Sequence, residues 1–374
     1  MYFYNPVQVT LRSGVRESVI EECAGKRVLV VCTSSAFIRY KNDQALTKLL
    51  LQPSTLLEHD FASNPAISDI RKISRRYRDS NLDLIVGLGG GSAMDVAKIA
   101  SVTIPASCEM LEIDDLLADE ELFSRFKPID CLQVPTTAGT GSEVTPFATV
   151  WDYERRQKKS LSNPAMFAKK ALIDPDFLCK TPLDVSISTG FDALNQAFES
   201  IWNRNADEYS RSISRRAAVL GLQALPFINN IAVDAEIRKK LATASLLAGL
   251  AISQTRTSIC HSISYPLTLK YGIPHGLACA FSMLEVYKYN LGFIKDDIEQ
   301  IQGALKQDPY NAIKDLFIQY DLKARLASAL PSEAVFSESI EDFVAVGRFE
   351  NNVRECDRSN LLQIIGSSYR SATN

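Results

Sequence analysis

Two of the chain's three histidines, His261 and His275, stand fourteen residues apart in the stretch HSISYPLTLKYGIPHG. Imidazole is the commonest metal ligand and a frequent general acid or base. Taken singly, each is more often a core or surface histidine than a ligand. About seventy residues upstream, STGFDALNQAFESIW places Asp192 near the start of a helix, with Gln196 one turn later on the same face. A carboxylate and an amide oxygen at i, i+4 are a weak signal alone, and a role near an N-cap competes for Asp192. Joined to the two imidazoles, they make an N/O donor set suited to a divalent first-row metal. The remaining histidine, His59 in LLEHDF, reads as an ordinary core or surface histidine.

A second chemistry lies in the glycines. LDLIVGLGGG reads as a buried strand running into a tight turn, and SAMDVAKIASV continues as a helix. Such a turn lets the backbone approach a phosphate, and the helix N-terminus offers free N–H groups and a positive dipole end. Gly89, Gly90, Gly91 and Ser92 are therefore candidate pyrophosphate contacts. The spacing is not a clean G-x-G-x-x-G, so an ordinary βα turn is an equal reading. PTTAGTGSEVT (Pro135–Thr145) is another small-residue loop after a strand. Two such loops at the C-terminal ends of parallel strands would converge where α/β sheets bind ligands.

The elements that must position these residues can be read from periodicity. RVLVVCT, LDLIVGLGGG and CLQVPTTAG are strands alternating with helical patterns, which implies a mostly parallel sheet covered by helices. FATVWDYERRQKKSLSN suggests a hairpin, and ALIDPDFLCKTP a short strand with a proline-marked exit. From Leu183 onward the apolar spacing is of the 3.6 type. The expected organisation is an α/β dinucleotide-binding domain over residues 1–182 and an all-α domain over 183–374.

Composition narrows the class. The 374 residues are 46% hydrophobic and 23% charged, with a formal net charge of −3. These are globular values with dispersed basic residues, which argues against a nucleic-acid surface. The eight cysteines form no C-x-x-C pair and look like reduced, buried thiols of a cytoplasmic protein. Neither a signal peptide nor an apolar run of membrane-spanning length is evident.

The motifs GGGSAMDVAK, PTTAGTGSEVT, DPDFLCKTP, GFDALNQAFES and HSISYPLTLKYGIPHG occur in this order over nearly the whole chain. In this the chain resembles the iron-containing (group III) alcohol dehydrogenases of the dehydroquinate synthase-like fold. The resemblance implies a nucleotide-binding domain, a helical domain and a catalytic Fe2+ or Zn2+ in the cleft between them. It assigns the metal ligands to Asp192, Gln196, His261 and His275. Gln196 stands where the family usually has histidine, and a neutral amide should weaken metal binding. Tyr265 replaces another common histidine and is either a proton donor alongside His275 or a packing residue.

For the cofactor, NADP(H) or NAD(H), the resemblance implies that Gly89, Gly90, Gly91, Ser92 and Asp95 anchor the pyrophosphate. Thr136, Thr137, Thr140 and Ser142 line the groove, Lys159 reaches in from the hairpin, and Thr33, Ser34 and Asn64 complete the set. NAD-preferring members carry an Asp after the first strand. Here Thr33, Ser34 and Ser35 follow instead, so NADPH should be accepted, with the preference between NADPH and NADH left open.

The expected reaction is hydride transfer to a small aldehyde, with a small-molecule aldehyde or alcohol as the binding partner and a homodimeric assembly. The run ESIWNRNA, taken with the histidine segment, is most similar to the phosphonoacetaldehyde reductase branch, with Arg204, Arg256 and Lys270 as candidate cations for a dianionic substrate. The alternatives are a general short-chain alcohol dehydrogenase reducing lactaldehyde or butanal, a lyase-type dehydroquinate synthase relative, and a metal-depleted cofactor-binding relative.

Overall fold

The computed structural model describes residues 3–155, 157–330, 332, 340–345 and 347–373. The chain divides into two compact units. The first comprises Asn5–Thr137 and Ser142–Thr181. Its sheet contains β1 (Gln8–Leu11), β2 (Val28–Val31), β3 (Thr55–Glu58), β4 (Leu84–Gly89), β5 (Asp130–Pro135) and β8 (Lys170–Ile173). Their order is β1-β8-β5-β4-β2-β3, and every pairing is parallel. Strands β6 (Phe147–Asp152) and β7 (Gln157–Ser162) form a separate antiparallel hairpin. The helices of this unit are α1 (Ser18–Cys23), α2 (Ser34–Tyr40), α3 (Gln44–Leu50), α4 (Ile67–Tyr77), α5 (Gly91–Cys108) and α6 (Ile113–Ala118).

Strands β2 and β4 are buried at every position because both sheet faces are covered. Their side chains alternate between two cores. Leu29, Val31 and Ile85 pack with Val96 and Ile99 of α5, whereas Val28, Val30, Leu84 and Val86 pack with Tyr40 and Phe177. Strands β1 and β3, at the two sheet edges, carry no alternation or apolar run strong enough to be read from sequence. QVTL and TLLE are four residues each and half-buried for the most part.

The second unit comprises Ala138–Gly141, Pro182–Asn374 and the start of the chain up to Tyr4. It is helical: α7 (Leu183–Ile201), α8 (Glu208–Ala224), α9 (Ala235–Thr255), α10 (Ile259–Tyr271), α11 (His275–Asn290), α12 (Lys295–Leu305), α13 (Pro309–Gln319) and α14 (Leu322–Ala327). A further helix covers Arg358–Thr373. Asp192 lies in the middle of α7, not near its start. The helix begins at Leu183, directly after Pro182, and the STG stretch stays helical. Thr189 Oγ1 bonds back to the Val185 carbonyl at 2.9 Å, so its hydroxyl is satisfied within the helix.

Helix α10 closes on Gly272, whose φ of 69° is the left-handed conformation usual for a helix end. One short turn later α11 begins at His275. The next residue, Gly276, meets α7 at backbone level: a Cβ there would lie 1.7 Å from the Ser188 carbonyl oxygen. Glycine thus sets how near the start of α11 comes to the helix carrying Asp192. Among the described residues, no helix is long and apolar enough to cross a membrane.

Candidate metal and cofactor sites

Helices α7, α10 and α11 bring Asp192, His261, His275 and Cys279 together, with one donor atom from each within 4.8 Å of all the others. Asp192 Oδ1 lies 3.3 Å from His261 Nε2. His275 Nε2 lies 3.9 Å from Cys279 Sγ, and the two imidazole rings cross at 77° with centroids 5.3 Å apart. Asp192, His261 and Cys279 are buried, and His275 is half-buried. A shared ion with bonds of about 2.0–2.3 Å holds its donors roughly 3–4 Å apart; two of these pairs already stand at 3.3 Å and 3.9 Å, and the rest lie within 4.8 Å.

The surroundings orient these donors. His261 Nδ1 is hydrogen-bonded to Glu199 Oε2, and Glu199 Oε1 accepts from the His261 backbone N–H at 3.0 Å and from Ser258 N at 3.2 Å. With Nδ1 engaged, Nε2 is the nitrogen left to face Asp192, the arrangement common around metal-bound imidazoles. Ser264 Oγ sits 3.4 Å from His275 Nδ1. Burial, the largest influence, lowers the pKa of His261. Cys279, Glu199 and Asp192 together outweigh it and hold the group well above its ordinary value. The carboxylates of Asp192 and Glu199 flank His261 on its two ring nitrogens, an anionic setting that suits a divalent cation.

Gln196 is one turn from Asp192, as its spacing predicts. Its Nε2 donates to Asp192 Oδ1 at 3.1 Å and to the Thr140 carbonyl at 3.4 Å. Its Oε1 is buried without a hydrogen-bond partner. Tyr265 is half-buried, and its ring stacks near that of His275, at 6.2 Å between centroids and 25° between planes.

Two residues of this site escaped sequence reasoning. Cys279 follows His275 by four residues on a helix, a spacing that could have paired them, but buried single cysteines are usually inert core thiols. Glu199 follows Gln196 in GFDALNQAFES by three, hence shares its helix face. Nothing in the sequence distinguishes it from a solvated surface acid.

In the α/β unit, Gly89 ends β4 with φ 151°, and a Cβ there would lie 2.8 Å from Ala93 Cβ, so glycine is required at the turn. Gly90 caps α5 without any side-chain bond to the free N–H groups of its first turn. A Cβ at Gly90 would sit 3.1 Å from Thr137 Oγ1, an atom buried with no partner of its own. An orphaned hydroxyl beside an uncapped helix N-terminus, across a space a side chain would fill, suits a pyrophosphate. Ser92 Oγ accepts from the backbone N–H of Asn64 at 3.2 Å, and Asn64 has φ 62°. Thr136 is tied to Gly89 O at 2.8 Å through its N–H.

The other expected cofactor residues have definite work in the fold. Asp95 accepts from Ser142 Oγ at 2.5 Å and from Thr149 N at 2.9 Å, with buried Lys98 at 3.4 Å. Its carboxylate ties the hairpin to α5, and its negative charge suits that role better than direct contact with phosphate. Lys159 pairs with Asp152 across the hairpin at 3.5 Å. Thr33 Oγ1 caps α2 by accepting from Ala36 N, and Ser34 Oγ donates to His59 O at 2.8 Å. The His59 ring stacks on Phe37 at 5.0 Å, a packing role.

Among the three expected substrate cations, Lys270 is ion-paired with Asp342. Arg204 and Arg256 are both exposed, on the loops that follow α7 and α9. Asn203 Nδ2 donates to Arg256 O at 3.2 Å, and Asn351 joins the same loops, accepting from Arg204 N at 2.8 Å and donating to Thr257 O at 2.9 Å. Arg256 has φ 62° and ψ −177°, a conformation close to glycine-only.

The fold and these sites first define a class: a nucleotide-binding type of parallel α/β unit followed by a helical unit with a cluster of metal-ligating side chains. The chain belongs to the iron-containing alcohol dehydrogenase family. Residues 6–175 match the family described as "Iron-containing alcohol dehydrogenase", and residues 186–369 match "Fe-containing alcohol dehydrogenase family, C-terminal". A phosphonoacetaldehyde reductase of Streptomyces viridochromogenes is 34% identical over 239 residues, which are 63% of this chain and 60% of that protein. The chain thus aligns with less than two thirds of this relative's length. An iron-containing alcohol dehydrogenase structure from Thermotoga maritima is 29% identical, with a TM-score of 0.84 and 99% of each chain covered. A sulfoacetaldehyde reductase from Bifidobacterium kashiwanohense, in complex with NAD+, is 25% identical, with a TM-score of 0.85 and 98% of each chain covered.

Proposed function

We propose that this protein is a metal-dependent, NAD(P)H-linked reductase that converts a small aldehyde to a primary alcohol, with phosphonoacetaldehyde, giving 2-hydroxyethylphosphonate, as the favoured substrate. The observation that carries this reading is the buried cluster of Asp192, His261, His275 and Cys279. It occurs in a chain whose α/β unit holds an open pyrophosphate cradle at Gly90 and Thr137. Two of the similar proteins are named for reducing two-carbon aldehydes with an anionic head group, phosphonate and sulfonate. The joined loops of Arg204 and Arg256 supply matching cations.

Asp192, His261, His275 and Cys279 would hold the metal (Fe2+ or Zn2+), which would supply Lewis-acid polarisation of the carbonyl, and a bound nicotinamide would supply the hydride. The chain's residues prepare both. Glu199 fixes the tautomer of His261, and Gln196 steadies Asp192 by donating to its carboxylate. Tyr265, stacked near His275, presents the phenol that delivers the proton to the product oxygen. Gly89, Gly90, Gly91, Ser92 and Thr137 receive the pyrophosphate. Thr33 and Ser34 place no carboxylate after β2 to repel a 2′-phosphate, so NADPH is the preferred donor.

The test is a purified-protein assay comparing phosphonoacetaldehyde with butanal and lactaldehyde, each with NADPH and NADH. We expect phosphonoacetaldehyde with NADPH to give the highest kcat/KM. Equal turnover of all three aldehydes would remove the phosphonate assignment and leave the short-chain alcohol dehydrogenase reading. The same reading places the protein in the cytoplasm, in keeping with eight unpaired cysteines, and as a homodimer that sedimentation would detect.

A further inference from the structure

We propose that Cys279 is a metal ligand of this protein, its thiolate completing an O, N, N, S donor set with Asp192, His261 and His275. This rests on the metal-dependent reading above. Cys279 is fully buried on α11, one turn beyond His275 and on the same face. Its Sγ faces His275 Nε2 at 3.9 Å and lies within 4.8 Å of the donor atoms of both Asp192 and His261. Donors sharing a tetrahedral ion, with bonds of about 2.0–2.2 Å to N or O and about 2.3 Å to S, stand roughly 3.3–3.7 Å apart. Two of the separations, 3.3 Å for Asp192–His261 and 3.9 Å for His275–Cys279, stand close to that range, and the other donor pairs lie within 4.8 Å.

Gln196 is the competing fourth donor, and its bonding points elsewhere. Both partners of its amide, Asp192 Oδ1 and the Thr140 carbonyl, are acceptors, so the nitrogen must face them. It acts as a brace for Asp192, and its unpartnered Oε1 is a weaker donor than a thiolate for a first-row ion. On binding, the Cys279 S–H proton passes to solvent and the sulfur lone pair forms the bond to the metal. One soft ligand among three N/O donors moves the preference from Fe2+ toward Zn2+.

Chelator-stripped protein titrated with Co2+ tests this by absorption. Visible ligand-field bands report binding of the ion, and a near-ultraviolet thiolate-to-cobalt band reports sulfur ligation. We expect both in the wild type. Cys279→Ser should keep the visible bands, lose the near-ultraviolet band and bind Zn2+ more weakly by more than about 100-fold, beyond the cost of losing an outer partner. Gln196→Leu should retain the near-ultraviolet band. Visible bands without a thiolate band in the wild type, or a thiolate band that survives Cys279→Ser, would overturn the assignment of Cys279 and leave the metal site standing. Failure of the wild type to take up stoichiometric Co2+ would overturn the metal-dependent reading together with it. X-ray absorption of the Zn2+-loaded wild type needs no variant. One sulfur near about 2.3 Å supports the proposal, and a shell of N and O alone refutes it.

Discussion

Glu199 grips His261 at two points, accepting from its backbone N–H at 3.0 Å and bonding its ring Nδ1. A fully buried carboxylate is thereby devoted to orienting one imidazole and to anchoring the first turn of α10 through Ser258.

Replacing that carboxylate by an amide keeps the volume but forces an NH2 group toward one of the donors. Glu199→Gln should weaken Zn2+ affinity about 10–100-fold, the usual cost of an outer-shell partner. Competition against a chromogenic chelator measures this. Unchanged affinity would show that His261 needs no such holder.

Thr33 offers a conservative route to the nucleotide preference. It caps α2, and aspartate caps helices equally well, so Thr33→Asp preserves the local fold. The added carboxylate would bond a ribose hydroxyl and repel a 2′-phosphate. The NADPH-to-NADH ratio of kcat/KM should fall by at least about tenfold, the equivalent of roughly 1.4 kcal/mol. A constant ratio would place the adenosine ribose elsewhere.

Tyr265→Phe separates proton delivery from packing. Loss of a proton donor typically costs about 10²–10⁴-fold. We expect kcat to fall into that range while metal content stays the same. A change of only a few fold would make Tyr265 a packing residue.

Arg256 holds its guanidinium at the cost of an unfavourable backbone. Arg256→Gly should relieve strain of about 1–3 kcal/mol and raise the melting temperature. The same variant should lose more kcat/KM on phosphonoacetaldehyde than on butanal. An equal loss on both aldehydes would exclude a role in recognising the anion.

Glu143 should give stability a pH dependence. Burial, the main cause, raises its pKa from 4.5 to about 7, against smaller lowering by its own backbone and by Lys98. Between these values the folded chain keeps a proton that the unfolded chain releases. The stability this group contributes is full below its unfolded pKa and is lost as pH rises through the folded one. Glu143→Gln should therefore match the wild type near about pH 5 and melt a few degrees higher near about pH 8. Parallel melting curves at both pH values would refute the shift.

What the sequence disclosed follows physical lines. Strands buried on both faces, such as β2 and β4, announce themselves as apolar runs, whereas the edge strands β1 and β3 are short and half-wet and do not. His261 and His275 stood out because the chain holds three histidines, and Asp192 with Gln196 because their i, i+4 spacing falls inside a recognisable motif. The place of Asp192 in mid-helix was not, since STG reads as a break until its hydroxyl is seen bonded within α7. Cys279 and Glu199 were hidden for a different reason. Their roles depend on three helices meeting, and no local pattern around either residue marks that meeting.

The contact of Gly276 with the Ser188 carbonyl has a wider consequence. Asp192, His261, His275 and Cys279 sit on three separate helices, yet a single hydrogen atom in place of a methyl group sets how near two of those helices come. The site is a jaw set to its width by one glycine. A methyl group added at Gly276 would spread the jaw, so a chain altered there could keep its helices and lose its grip on the ion.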